Sequence, residues 1–149
     1  SLAEAFRDLN VHSLFMVNDN SDALNRISKN NSRYEILNQI DSWSLNDAVA
    51  TIQTAKHERC NIVIVDSHTV DFEYLSFIRK SGLYVVSRDD SASFAFPSHI
   101  VFNGNANAKV LEYLSSTGDT NFLLGTDYIV LGREFTSDYN PPNESSTNI

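Results

Sequence analysis

The stretch NIVIVDSH, residues 61–68, decides the fold. Ile62, Val63, Ile64 and Val65 are apolar on successive positions, where a half-buried strand would alternate. That pattern belongs to a strand covered on both faces, as in a parallel sheet. The run then breaks abruptly into an acid, a hydroxyl and an imidazole: Asp66, Ser67 and His68.

Outward from this strand the pattern repeats. Leu83–Val86 is a second apolar run and ends at Arg88, Asp89 and Asp90. Ile100–Phe102 is a third and ends at Asn103, Gly104 and Asn105. Leu14–Val17 is an earlier one and ends at Asn18 and Asp19. Helical spacing lies between them. Leu2, Ala3, Ala5, Phe6 and Leu9 share one face, and 21–29 reads as a second helix capped around Ser21 and Asp22. Residues 34–37 form a short strand. The segment 44–58 carries a stripe of Leu45, Ala48, Val49, Ile52 and Ala55, with Ser44 three residues ahead of Asp47 in its acidic first turn. Residues 71–80 place Phe72, Leu75 and Ile78 inward, and Gly82 stands where a left-handed cap is needed. Residues 108–114 are helix-like, and apolar runs at 122–124 and 128–131 bracket a turn at Gly125, Thr126 and Asp127.

Strand and helix in alternation predict a three-layer, Rossmann-like α/β domain with a mostly parallel sheet, spanning 1–135. The polar stretch 136–149, with two prolines, reads as a mobile tail or the start of a linker. At 149 residues, 42% apolar and 20% charged, the chain has the length and composition of one globular domain.

The net charge of −8 and the lack of any Lys/Arg cluster argue against nucleic acid as a partner. No apolar run approaches the ~20 residues of a membrane span, and SLAEAFRDL has no signal-peptide core. Cys60 stands alone, so no disulfide framework exists; it reads as a small packing residue, and the setting as reducing and cytoplasmic.

In open α/β sheets ligands bind beyond the carboxyl ends of the strands. The candidates there are Asp66 and His68 as acid or base, with Asp89, Asp90 and Asn103 beside them. The competing reading is plain turn chemistry, because Asp, Asn and Ser are turn formers. His12, His57 and His99 have no motif around them and read as structural or solvated. No metal-ligand spacing is present, and Asp89 and Asp90 are adjacent on extended backbone, where side chains point apart. Neither metal nor cofactor is called for.

Five stretches carry a resemblance: LAEAF (2–6), IVIVDSH (62–68), GLYVVSRDD (82–90), HIVFNGNANA (99–108) and FLLGTDYIVLGREF (122–135). In this order they resemble the amino-terminal half of the nucleotide-sugar hydrolases of pseudaminic acid synthesis. Those are the UDP-2,4-diacetamido-2,4,6-trideoxy-β-L-altropyranose hydrolases, similar to spore-coat polysaccharide biosynthesis proteins and to glycosyltransferases of the GT-B type. The resemblance implies water attack at an anomeric carbon with release of the nucleoside diphosphate. It also implies a sugar-facing wall made of Asp66, His68, Asp89, Asp90 and Asn103, and a role for Arg133 at the substrate or as a hinge ion pair.

The family's first strand and its Gly-x-Gly-His-x-x-Arg loop would precede the helix at 2–6, and its second Rossmann domain would follow 135. The expectation is therefore a chain that does not turn over a UDP-sugar alone. Two alternatives stay open: a non-catalytic sugar- or nucleotide-binding module, and a receiver-like domain. Against the receiver stands the order of signals, since its acidic pair follows the first strand and Asp89-Asp90 follows a later one.

Overall fold

The computed structural model describes residues 2–37, 41–67 and 69–132. The elements in chain order are α1 (Leu2–Asp8), β1 (Leu14–Val17), α2 (Ser21–Lys29), β2 (Arg33–Ile36), α3 (Leu45–His57), β3 (Ile62–Asp66), α4 (Phe72–Lys80), β4 (Tyr84–Arg88), β5 (Ala95–Phe96), β6 (Ile100–Asn103), β7 (Leu114–Ser115) and β8 (Asn121–Leu124). Four strands pair in the order β3-β4-β6-β8, every pair parallel. Two further parallel pairs, β1-β2 and β5-β7, stand apart from that sheet. The domain is Rossmann-like α/β, as the successive apolar runs predict.

The helices begin where side chains satisfy their first N–H groups. Ser44 Oγ accepts from Asp47 N at 3.2 Å, and Asp71 Oδ1 accepts from Tyr74 N at 2.9 Å. The cap of α2 is Asn20, one residue earlier than the sequence suggests, with Oδ1 accepting from Asp22 N and Ala23 N. After α4 the chain turns through Gly82 at φ 90°, a conformation costly for any residue with a Cβ.

One face of the four-stranded sheet forms the core. Val65, Val85 and Val101 pack with Ala48, Ile52 and Ala55 of α3 and with Tyr74, Leu75 and Ile78 of α4. Phe96 joins them, and Cys60 packs against the cluster as a partly buried residue. The alternate residues form the other face, which is only half covered: Ile62 is 57% exposed and Tyr84 42%. No residue of 2–37 is buried.

Four sequence expectations need correction. Phe72 is 39% exposed; Tyr74 takes the inward place. Leu45 and Val49, in the expected stripe of α3, are also exposed, so its buried stripe is narrower. The expected helix at 108–114 is a short 3-10 turn, Ala108–Val110, followed by β7. Here Tyr113 is drawn into the aromatic cluster of Phe96 and Phe122, at 6.0 and 5.6 Å between ring centroids, which a continuing helix would not allow. The apolar run at 128–131 pairs with no strand; after a 3-10 turn at Thr126–Tyr128, Ile129, Val130 and Leu131 remain about half exposed. The expected tail at 136–149 lies outside the described residues.

Packing on one face makes the core unequal in its sensitivity. Leu75→Ala, at a fully buried position, is expected to lower unfolding free energy by about 2–5 kcal/mol. Phe77→Ala, on the exposed side of α4, should cost under about 1 kcal/mol. Urea unfolding of the two variants side by side measures the difference.

Candidate functional site

Because β3, β4 and β6 are parallel and in register, their carboxyl ends lie along one edge. Asp66 is paired with Arg88 in that register, and Asp89 and Asn103 follow on the neighbouring strand ends. The edge therefore gathers Asp66, Arg88, Asp89, Asp90 and Asn103. Asn18 and Asp19 follow β1, which belongs to the separate β1-β2 sheet, so they are not part of this strand-paired row. His68 and Arg133 lie outside the described residues.

The row has two tiers. The inner tier is a saturated hydrogen-bond network. Asp89 Oδ2 accepts from Ser91 N at 2.8 Å, Ala92 N at 2.7 Å and the Tyr113 hydroxyl at 2.9 Å. Its Oδ1 accepts from Ser91 Oγ at 3.0 Å. Asn103, 2% exposed, donates from Nδ2 to the Tyr113 oxygen at 2.9 Å and accepts at Oδ1 from Asn105 N at 2.9 Å. Tyr113 thus links the ends of β4 and β6.

Burial opposes ionisation of Asp89 and is the largest single influence, but the N–H groups of Ala92 and Ser91, with the two hydroxyls, together outweigh it. Its carboxyl is held below the usual carboxylate range. Tyr113 is shifted upward, first by burial and further by the Asp89 carboxylate, so it stays a neutral donor.

The outer tier faces solvent. Arg88 Nη1 donates to both oxygens of Asp66, at 3.1 and 3.2 Å. Both side chains are more than half exposed, and such a pair is worth roughly 0.2–1 kcal/mol, so it can open to admit another anion or hydroxyl. Asp90 is exposed, at a bend just beyond β4. Asn105, whose N–H is held by Asn103, is also exposed.

The loop after β8 packs against this edge. Gly125 N donates to Asn103 O at 2.8 Å. A Cβ on Gly104 would lie 2.6 Å from Ile129 Cα, so only glycine lets the 128–129 backbone approach this closely.

A second buried network stands where α3 and α4 begin. Asp47 accepts from Trp43 N and the Tyr74 hydroxyl, both at 2.9 Å, and from Thr51 Oγ1 at 3.2 Å. Trp43 holds a positive φ of 62° and meets the Tyr74 ring edge-on at 5.4 Å. Burial is the largest influence on Tyr74, and with Asp47 it raises the phenol further.

Sequence reading singled out Asp66, Asp89, Asp90 and Asn103 and missed Tyr113, which was hidden in an apparent helix. It also missed the Trp43–Asp47–Tyr74 group, whose only signal was Ser44 three residues before Asp47. His99 is structural, as read: its Nδ1 accepts from Val85 N at 3.0 Å, and its ring stacks on Tyr84.

Among the described residues no group of His, Cys, Asp and Glu could hold a metal ion, and no helix is long and apolar enough to cross a membrane. Comparison with protein-family models, curated proteins and solved structures returns no match.

The depressed Asp89 carboxyl has a definite pH signature. A group whose folded pKa lies below its unfolded value of 3.8 stabilises the fold fully above that value. The contribution is lost as pH falls through the depressed folded pKa. Asp89→Asn should therefore flatten the acid limb of stability against pH below about pH 4. Thermal melts of both proteins from neutral pH to about pH 2 read this directly; parallel acid limbs would contradict it.

Proposed function

We propose that this chain forms the sugar-facing wall of a nucleotide-sugar hydrolase or GT-B-like enzyme of surface-polysaccharide biosynthesis. The observation that carries the reading is the single edge on which Asp66, Arg88, Asp90 and Asn105 stand exposed over the Asp89–Tyr113–Asn103 network. It is supported by the ordered resemblance of IVIVDSH, GLYVVSRDD, HIVFNGNANA and FLLGTDYIVLGREF to that family.

The chemistry divides among the residues. Carboxylates and amides can bind sugar hydroxyls, and a guanidinium can meet a phosphate bidentately. Hydrolysis at the anomeric carbon also needs a base for water and positive or N–H charge at the leaving diphosphate. Asp89 is held ionised by four hydrogen bonds, so it serves as an anchor of the rim, not as a proton donor at neutral pH. Asp66 and His68 remain the proton-handling candidates, and Asp90 and Arg133 the substrate-side ones; Asn103, 2% exposed, holds the rim together with Asp89. In the family the chain resembles, a second Rossmann domain holds most of the nucleoside diphosphate.

A non-catalytic sugar- or nucleotide-binding module is the second reading. The saturated inner tier favours it, because Asp89 and Asn103 are committed to holding the edge in shape.

Titration of isotopically labelled chain with UDP and UDP-N-acetylglucosamine tests both. The amides of Asp66, Arg88, Asp90 and Asn105 should shift, and Arg88→Ala should weaken the response severalfold. A nucleotide-release assay on the same sample should show no turnover. Robust release would refute the predicted inactivity of the isolated chain, and shifts confined to other surfaces would remove the site.

A further inference from the structure

The outer face of α4 is apolar at its centre and carries one acid and one base at its ends. Glu73, Ser76, Phe77 and Lys80 recur at the spacing i, i+3, i+4 and i+7, so they share one face. Phe72 and Phe77 are each 39% exposed, and Leu45 of α3, 58% exposed, stands beside them. The inner face of the same helix is closed by Tyr74, Leu75 and Ile78, so these outer aromatics are not needed for the core.

The surface here is a ridge between two hollows. Phe72, Ser76 and Lys80, four residues apart, line both of them. One hollow, of about 220 Å³, lies toward Leu45. The other, of about 420 Å³, lies toward Pro97 and Thr117. Ridges of this i±4 kind pack into the grooves of a second helix, commonly at a crossing angle of about −50°. Ser76, in the middle of the ridge, is small and lets two such helices approach closely.

Charge says which helix fits. Arg79, next in the chain, is committed to Asp119 at 2.6 Å. Glu73 and Lys80 have no ion-pair partner among the described residues. They stand equally far from the point between Ser76 and Phe77, each about 5 Å along the axis. A copy of α4 laid antiparallel across that point sets Glu73 against the second copy's Lys80, and Lys80 against its Glu73. The face is therefore complementary to itself, which is what an isologous two-fold contact requires. The helix dipole also favours an acid in the first turn and a base in the last, but it does not require both to share a face with Phe77.

We propose that this face is the two-fold interface of a homodimer, in which α4 crosses α4 of a second copy at Ser76 and Phe77. Phe72, Phe77 and Leu45 supply the apolar contact, and the two Glu73–Lys80 pairs fix the antiparallel register. The patch is smaller than the roughly 20–30 residues a side of a standard interface, so the dimer is weak and forms reversibly with concentration. The inference rests on α3 and α4 alone and does not depend on what the rim binds.

The test is sedimentation equilibrium of the full chain over about a hundredfold range of concentration, with charge exchange at the two ends. The average mass should climb from monomer toward dimer. Glu73→Lys alone and Lys80→Glu alone each place like charges together and should weaken self-association about tenfold or more. An equimolar mixture of these two variants should associate again, because each supplies the charge the other lacks. Phe77→Ala, which keeps both charges, should weaken the dimer about tenfold. Urea unfolding of each variant confirms that the monomer still folds; should a charge variant not fold, Phe77→Ala and the salt dependence of the unaltered chain decide. A chain that stays monomeric throughout overturns the proposal and leaves the patch to a different protein or segment. Association unaffected by the single exchanges, or a mixture that fails to recover it, overturns it as well.

Discussion

Parallel pairing from β3 to β8 is the constraint on which the site depends. A parallel strand cannot be followed by a hairpin, so each chain segment must leave the sheet at the same edge and return by a crossover. The register of Asp66 with Arg88, and of Arg88 with Phe102, turns that rule into a row of polar residues at one edge. Concentrating polar groups beside a core is costly unless each has a partner. Tyr113 meets that need for Asp89 and Asn103 together, and leaves Asp66, Arg88 and Asp90 on the solvent side.

What could be read from the sequence follows from the range of the forces involved. Apolar runs such as 62–65 predicted strands, and those strands are present, but the burial on both faces that the runs suggest is not, since Ile62 is 57% exposed. Ser44, Asp71 and Gly82 act on their own few residues, so helix starts and stops were also legible. The site was legible only as a set of strand ends. Tyr113 carried no local mark, because its role is set by Asp89 and Asn103, 24 and 10 residues away in sequence. The same holds for Tyr74, whose hydroxyl reaches Asp47 across 27 residues. Leu111, Tyr113 and Leu114 mimic a helical face, and only the pairing of β7 with β5 reveals otherwise. The run at 128–131 has strand composition, yet it pairs with no strand among the described residues.

Cohesion is distributed unevenly along the chain. The core cluster draws its buried residues from 48–101, with Trp43 at one margin and Phe122 at the other. The α1–β2 segment is tied to the rest by polar contacts, among them Arg33 with Glu58 and Glu35 with Thr54. Contacts of this exposed kind hold a geometry without adding much free energy. The carboxyl-side half therefore sets the global stability, and the α1–β2 half is the natural first unit to open.

Trp43 is the chain's single tryptophan, and it sits at the border between those halves. Its indole meets Tyr74 edge-on, and its backbone N–H donates to the Asp47 carboxylate. Emission excited at wavelengths that only tryptophan absorbs is thus a one-site signal. It reports the junction of α3 and α4, so a loss of native emission dates the parting of that junction.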